Sequence, residues 1–352
     1  MTRLILLSGV GGSGTTTLAA ATADALRTEG VSATLIDGTG DAPVDPSAQA
    51  LLVAPARRLL GEAGADAIVP EAWAGLAGLS ALSVLLQAEA ALGSSGAVVV
   101  DVGGHARARE LAQLPGTLVR LLDAALTPRL AMRRPADGDE GLFEVLAAMR
   151  GTALRLDRML TRPGTTMRLV TQPKADGIDR TASALAMMST LGIGIDGVIV
   201  NRYPRSSEGW PKAVMSRAAA ALVAMTEAAD GVPVWKSTAR VRPAPKGASP
   251  LGSFGRVQVL DADQLTVTVG DEELSIDLPL TTRARDRARV GVQGEWLVVE
   301  VDGVHRWLTL PPVLRRCRPL AAERTDAGVR VVFVPDPATW RGPVEGVAEV
   351  TP

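Results

Sequence analysis

Residues 8–19 read SGVGGSGTTTLA, and the reading of this stretch decides the fold. It has the glycine rhythm of a phosphate-binding loop, but no lysine. The four apolar residues before it (LILL, 4–7) are too few for a signal peptide and read as a buried strand over 3–7. The residues after it (TTLAAATADALRTE, 16–29) are Ala-rich and helical, and Gly30 supplies the stop. VSATLI (31–36) is a second strand ending at Asp37. Strand, glycine loop, helix and strand within about 30 residues is the βαβ unit of a parallel sheet.

The alternation continues. Helices are expected over 47–64, 81–92, 106–123, 139–160 and 179–191, and strands over 97–100, 168–171 and 196–200, the first ending at Asp101 and the last at Asn201. The fold class is therefore α/β, a doubly wound and mostly parallel sheet, assigned to residues 1–236. The stretch 237–255 (STARVRPAPKGASPLGSFG) reads as a linker. From 256 to 335 the apolar period becomes two, with turns such as Asp302-Gly303, and a small all-β sandwich is expected. The tail 336–352 reads as irregular.

Composition narrows the function. Hydrophobic residues make up 47% and aromatics 3%, so the core is built from Ala, Val and Leu. Net charge is −1, which leaves no broad basic footprint for nucleic acid. The single Cys317 excludes an internal disulfide, a Cys-x-x-Cys zinc clamp and a multi-thiol metalloid site. No run of about 18 uncharged apolar residues suggests a membrane span, and a cytoplasmic protein is expected. Lysine occurs only at 174, 212, 236 and 246.

A phosphate loop works by three means. Glycines let backbone N–H groups converge on the phosphates, the following helix adds its positive end, and a lysine with a hydroxyl supplies charge and holds Mg²⁺. Gly9, Gly11, Gly12 and Gly14 keep the first, and the helix beginning near Thr16 keeps the second. Thr16 keeps the magnesium hydroxyl and Thr17 follows it, but the lysine position is Thr15.

These residues resemble a family. GVGGSGTTT (9–17) is similar to the GKGGVGKTT loop of the ArsA/Get-type ATPases, which include arsenite-pump ATPases and targeting factors for tail-anchored membrane proteins. VVVDVGGHARARELAQLPGTLVRLL (98–122) resembles the family's Asp-x-x-Pro-Thr-Gly-His switch, with Asp101, Gly104 and His105 surviving. MLTRPGTTMRLVTQP (159–173) resembles the segment entering a central strand. GVIVNRYP (197–204) resembles the strand ending in the adenine-contacting Asn, here Asn201. DEELSIDLPL, GEWLVVEVDGVHRWLTLPPVLRR and GVRVVF, within 271–333, resemble the small-heat-shock-like domain appended to bacterial members.

The resemblance implies a deviant P-loop fold, ATP and Mg²⁺ as cofactors, Thr16 and Asp101 beside the metal, and a face-to-face dimer. Its departures fall on one chemical step. Both family lysines are replaced, by Val10 and Thr15. The water-activating Asp of the first switch is displaced: LIDGTGDAP puts Asp37 early, Asp41 late and Thr39 nearest the expected place. Val102 and Gly103 replace Pro-Thr in the second switch. Asp37, Asp41, Asp101 and His105 are the candidate catalytic residues. The expected protein is a pseudo-ATPase that binds nucleotide weakly or not at all and forms the non-catalytic half of a heterodimer with a competent paralogue. Its client would be a hydrophobic segment or membrane protein, with no zinc between subunits. The alternatives are a true ATPase with relocated charge, and a chaperone-like module indifferent to nucleotide. Eight of nine methionines fall between 132 and 225, as either an adaptable apolar surface or ordinary core.

Overall fold

The computed structural model describes residues 2–40, 78–131, 140–205, 209–238, 266–269 and 274–336. The chain divides into two units, Met1–Ala262 and Asp263–Pro352.

The first unit is built on a six-stranded parallel sheet of order β2-β3-β1-β4-β5-β6. Its strands are β1 (Arg3–Gly9), β2 (Ala33–Asp37), β3 (Ala97–Gly104), β4 (Thr165–Thr171), β5 (Gly194–Tyr203) and β6 (Val234–Thr238). Leu4, Ile5, Leu6 and Leu7 are all buried, as a strand covered on both faces requires. Ile5, Leu7, Val99, Val170 and Ile199 meet Leu18, Ala19 and Leu26 of helix α1 (Thr15–Thr28), so alternate strand residues face this helix. The order reverses around β1, and ligands of open α/β sheets bind at the carboxyl ends beside such a reversal.

Four of the expected helices appear, as α2 (Leu79–Leu92), α3 (His105–Ala131), α4 (Glu140–Thr161) and α5 (Ala175–Leu191). The helix expected over 47–64 lies outside the described residues. Helix α3 runs on past 123, through Pro115 and Gly116. Gly116 lets it approach Asp157 of α4, and beyond them Leu122 and Leu126 pack with Leu146. In this unit two elements go beyond the sequence reading, α6 (Lys212–Ala228) and edge strand β6. Ser237 and Thr238, read as linker, complete β6.

Between β4 and β5 the ladder slips by one residue at Asp196. The Asp196 carboxylate accepts two hydrogen bonds from Arg168, at 3.2 and 2.6 Å, and one from Thr166 at 3.3 Å. Both charges are fully enclosed, with exposures of 1% and 0%. The Trp235 ring lies 5.3 Å from the guanidinium carbon and sits so close to Gly197 that no β-carbon fits there.

The described residues of the second unit are antiparallel strands, with a short helix α7 (Thr282–Arg287) that the all-β reading did not include and a 3-10 turn at Leu314–Arg316. One sheet orders β11-β10-β9, from Val304–Thr309, Trp296–Val301 and Arg289–Gln293. The other orders β12-β13-β8-β7, from Cys317–Thr325, Gly328–Pro335, Leu274–Pro279 and Thr266–Val269. Leu297, Val299 and Val301 are buried and their neighbours less so, the period-two pattern of the sequence. Asp302 and Gly303 both have positive φ, 50° and 73°, which makes the two-residue hairpin turn their order suggests.

Candidate functional site

The glycine loop joins β1 to α1 at the carboxyl edge of the sheet. Gly14 stands at the N-cap with φ 87°, no side chain caps the helix, and its first turn carries no acid. The backbone N–H groups of Gly11, Gly12 and Gly14, and those of Thr15, Thr16 and Thr17, find no backbone acceptor among the described residues. Uncompensated N–H groups at a helix start form a concave patch of positive potential. Thr16 and Thr17 are exposed on that turn.

Two carbonyls hold the loop in shape. Gln172, just beyond β4, donates from Nε2 to Gly12 O at 2.7 Å, and Asn201 in β5 donates from Nδ2 to Ser13 O at 2.6 Å. Asn201 Oδ1 accepts from the Arg202 N–H at 2.8 Å, so both ends of the amide are used within the chain. Gly14 faces this amide so closely that a β-carbon would lie 2.5 Å from Nδ2. Sequence reasoning reached Asn201 but passed over Gln172, whose only signal is its place one residue after a buried strand.

Thr15 turns inward. It is 8% exposed, and its hydroxyl pairs with that of buried Ser13 at 3.0 Å. Both hydroxyls crowd Gly9, where a β-carbon would come within 2.6 Å of either. The side chain at the lysine position is thus a neutral group satisfied inside the loop.

Asp101 pairs in register with Leu7 and with Asp37. Its Oδ1 accepts the Gly103 N–H at 3.1 Å, while Oδ2 is buried with no partner. Leaving a buried carboxylate oxygen unpaired costs about 1–3 kcal/mol or more, so this atom points to a missing group. Asp37 is exposed, and its Oδ1 accepts from the Thr39 N–H and hydroxyl at 3.0 and 2.7 Å. Asp37 and Thr39 therefore occupy each other in a tight turn. Asp41 lies outside the described residues. Among the described residues no three His, Cys, Asp or Glu side chains cluster as a metal site.

His105 opens α3, and its Nδ1 lies 2.9 Å from the hydroxyl of fully buried Ser8, which donates to Gly103 O at 3.5 Å. Both contacts are met together when Nδ1 carries the proton. Burial first, and the charge of Arg180 second, lower its pKa to about 4, so the ring is neutral at pH 7. Arg107, which sequence reasoning did not single out, donates to Gly38 O at 3.2 Å, Ser80 Oγ at 2.7 Å and Glu110 at 2.7 Å. It ties the turn after β2 to α2 and α3.

The methionines divide. Met159, Met167, Met188 and Met225 are buried core residues. Met149, Met187 and Met215 are half-buried, and Met132 lies outside the described residues. They form no continuous exposed stripe among the described residues. Nor is any described helix long and apolar enough to cross a membrane.

Two comparisons with known proteins bear on the chain. It is 28% identical, over 96% of its length and 99% of the relative's, to the uncharacterized protein SCO2128 of Streptomyces coelicolor. Residues 269–333, which carry all but the first strand of the β unit, match the family described as the HSP20-like domain found in ArsA.

Proposed function

We propose that this chain is an ArsA/Get-type ATPase homologue impaired in hydrolysis, acting as the non-catalytic half of a heterodimer with a loop-competent paralogue. The observation that carries the reading is Thr15, a neutral side chain turned inward to Ser13 where the family loop has its lysine. The HSP20-like domain supports the kinship, because that domain is described as found in ArsA.

The residues fit a nucleotide phosphate with Mg²⁺. The unpaired N–H groups of Gly11, Gly12, Gly14 and the first turn of α1 would receive phosphate oxygens. The Thr16 hydroxyl and the orphaned Asp101 Oδ2 would hold the metal side. Mg²⁺, when bound, neutralises charge on the phosphate oxygens. What the loop lacks is its own cation. A charge-assisted hydrogen bond contributes about 1.5–3 kcal/mol, so affinity falls by roughly one to two decades at about 1.4 kcal/mol per decade. The rate loses more, because negative charge peaks in the transition state. The activating position is impaired too, since Asp37 is held by Thr39. Such a chain remains useful where it completes a site on a partner that has its lysines, and a hydrophobic segment is the client class the kinship suggests.

A second reading, an ATPase with relocated charge, draws on Arg180, an exposed cation on the side of His105 that pairs with Asp176 at 3.5 Å. The experiment is ATP binding and turnover by the purified chain, alone and mixed with its paralogue. Silence alone, with raised paralogue turnover and co-elution, supports the partner reading. Turnover alone, abolished by Thr16→Ala and Arg180→Ala, supports the second. A chain that neither hydrolyses ATP nor alters the paralogue, yet binds clients, belongs to a nucleotide-independent chaperone.

A further inference from the structure

A groove of about 740 Å³ opens between α5 and α6, beside the loop-holding Gln172. Its floor is aliphatic, with Ile178, Val214 and Ala221 among its lining residues. Lys174, Arg202 and Arg217 also line it, and among the described residues no carboxylate does. None of the three makes an ion pair among the described residues. The Trp210 indole Nε1 is buried there with no hydrogen-bond partner among the described residues. Arg202 has φ 56°, a left-handed backbone that non-glycine residues adopt at a cost of about 1–3 kcal/mol and that concentrates at ligand-binding sites.

These features select an occupant. An orphaned N–H and three cations ask for a head group that only accepts hydrogen bonds and carries negative charge. An aliphatic floor asks for a hydrocarbon body. A nucleoside base needs polar partners along its edges, and the one lining amide, Gln172, already donates to Gly12 O. The volume falls within the roughly 300–1,000 Å³ of small-molecule sites. We propose that the groove between α5 and α6 binds a single-chain anionic amphiphile of fatty-acid type, its carboxylate on Arg202, Arg217, Lys174 and the Trp210 N–H, and its chain on the alanine-lined floor. This site does not depend on whether the glycine loop binds nucleotide.

The test is displacement of anilinonaphthalene sulfonate from the full chain by dodecanoate below its micelle concentration. Dodecanoate should displace the dye, and Arg217→Glu and Lys174→Glu should each weaken it at least tenfold. Ala220→Trp, at an exposed position lining the groove, should block it. Circular dichroism spectra and melting points should stay those of the parent chain. Trp210→Phe, which removes the donor and part of the ring, should weaken dodecanoate several-fold, and dodecyltrimethylammonium no more than the lost ring area requires. Equal displacement by dodecyltrimethylammonium would reduce the groove to an apolar surface and overturn the proposal. Displacement by ATP but not dodecanoate would assign it to nucleotide. A lower sedimentation mass for Arg217→Glu, with no dodecanoate binding to the parent, would assign it to a second copy of the chain.

Discussion

Replacing Asp196 by Asn should be among the costliest single changes in the α/β unit. The substitution keeps the size and one acceptor but removes the charge that balances Arg168. Two hydrogen bonds, at 3.2 and 2.6 Å, lose their ionic partner. Charge-assisted bonds contribute about 1.5–3 kcal/mol each, and stranding one member of a buried pair costs about 3–5 kcal/mol. The Trp235 face, 5.3 Å from the guanidinium carbon, remains and offsets up to about 2 kcal/mol when desolvated. The expected loss is about 3 kcal/mol for Asn, and nearer 5 for Ala, which also leaves a void. For a unit of this size each kcal/mol lowers the melting temperature by about 2–4 °C, so Asn should shift it by about 6–12 °C. Urea and thermal unfolding followed by far-ultraviolet circular dichroism would read this, with the β unit's transition as an internal reference. The double variant Arg168→Met/Asp196→Ala should lose at least about 2 kcal/mol less than the sum of the single changes, because it leaves no unpaired charge. A loss below about 1 kcal/mol for Asn, or additive single effects, would refute the view that the pair is a closed unit.

Thr15→Lys should raise ATP affinity roughly 10- to 100-fold, the equivalent of one charge-assisted contact, read by titration calorimetry; no gain in a folded variant would mean that the loop does not receive phosphate. Gly14→Ala should destabilise by about 1–2 kcal/mol from the left-handed backbone alone, with more from the contact with Asn201, and Asn201→Ala should recover the second part in thermal melts. His105 stays neutral down to about 4, whereas the unfolded chain protonates near 6.5. Above pH 7 neither state binds the proton, so there is no effect. As pH falls from 6.5 to 4 the unfolded state binds more protons and stability declines. His105→Gln should remove that part of the slope. Since the chain has only two histidines, an imidazole NMR titration reads the shifted ring directly.

Much of the fold is legible because β1, β3 and β5 are near-continuous apolar runs, and the loop between β1 and α1 is punctuated by glycine. The hairpin at Asp302-Gly303 is legible for the same local reason. Helix α6 is less so: KAVMSRAAAALVAMTEA follows PRSSEGWP, and its alanines give little amphipathic contrast to mark a face. Strand β6 (VWKST) is short and at an edge, so only its partner β5 reveals it. At the candidate site the glycine pattern brings the loop into view, and the family resemblance brings Asp101, His105 and Asn201. The sequence does not show that Thr15 turns inward, that Asp37 is taken by Thr39, or that Gln172 and Asn201 hold the loop by its carbonyls. Those facts depend on which strand ends are neighbours. Arg168 and Asp196 are 28 residues apart and face each other only through a one-residue slip in the ladder.

Helix α3 has a mechanical consequence. Its 27 residues extend about 40 Å at 1.5 Å per residue, from His105 at the candidate site to Ala131. Pro115 lacks the N–H that would bond the Leu111 carbonyl, so the rod carries a joint one ladder bond weaker than the rest. The arm beyond Gly116 is about 22 Å long, so a tilt of about 10° at the joint would sweep its tip by about 4 Å. The ring that contacts Ser8 at the start of the loop and the far end of the helix thus belong to one element. Stiffening the joint with Pro115→Ala would lengthen the rigid portion of that helix without touching the site.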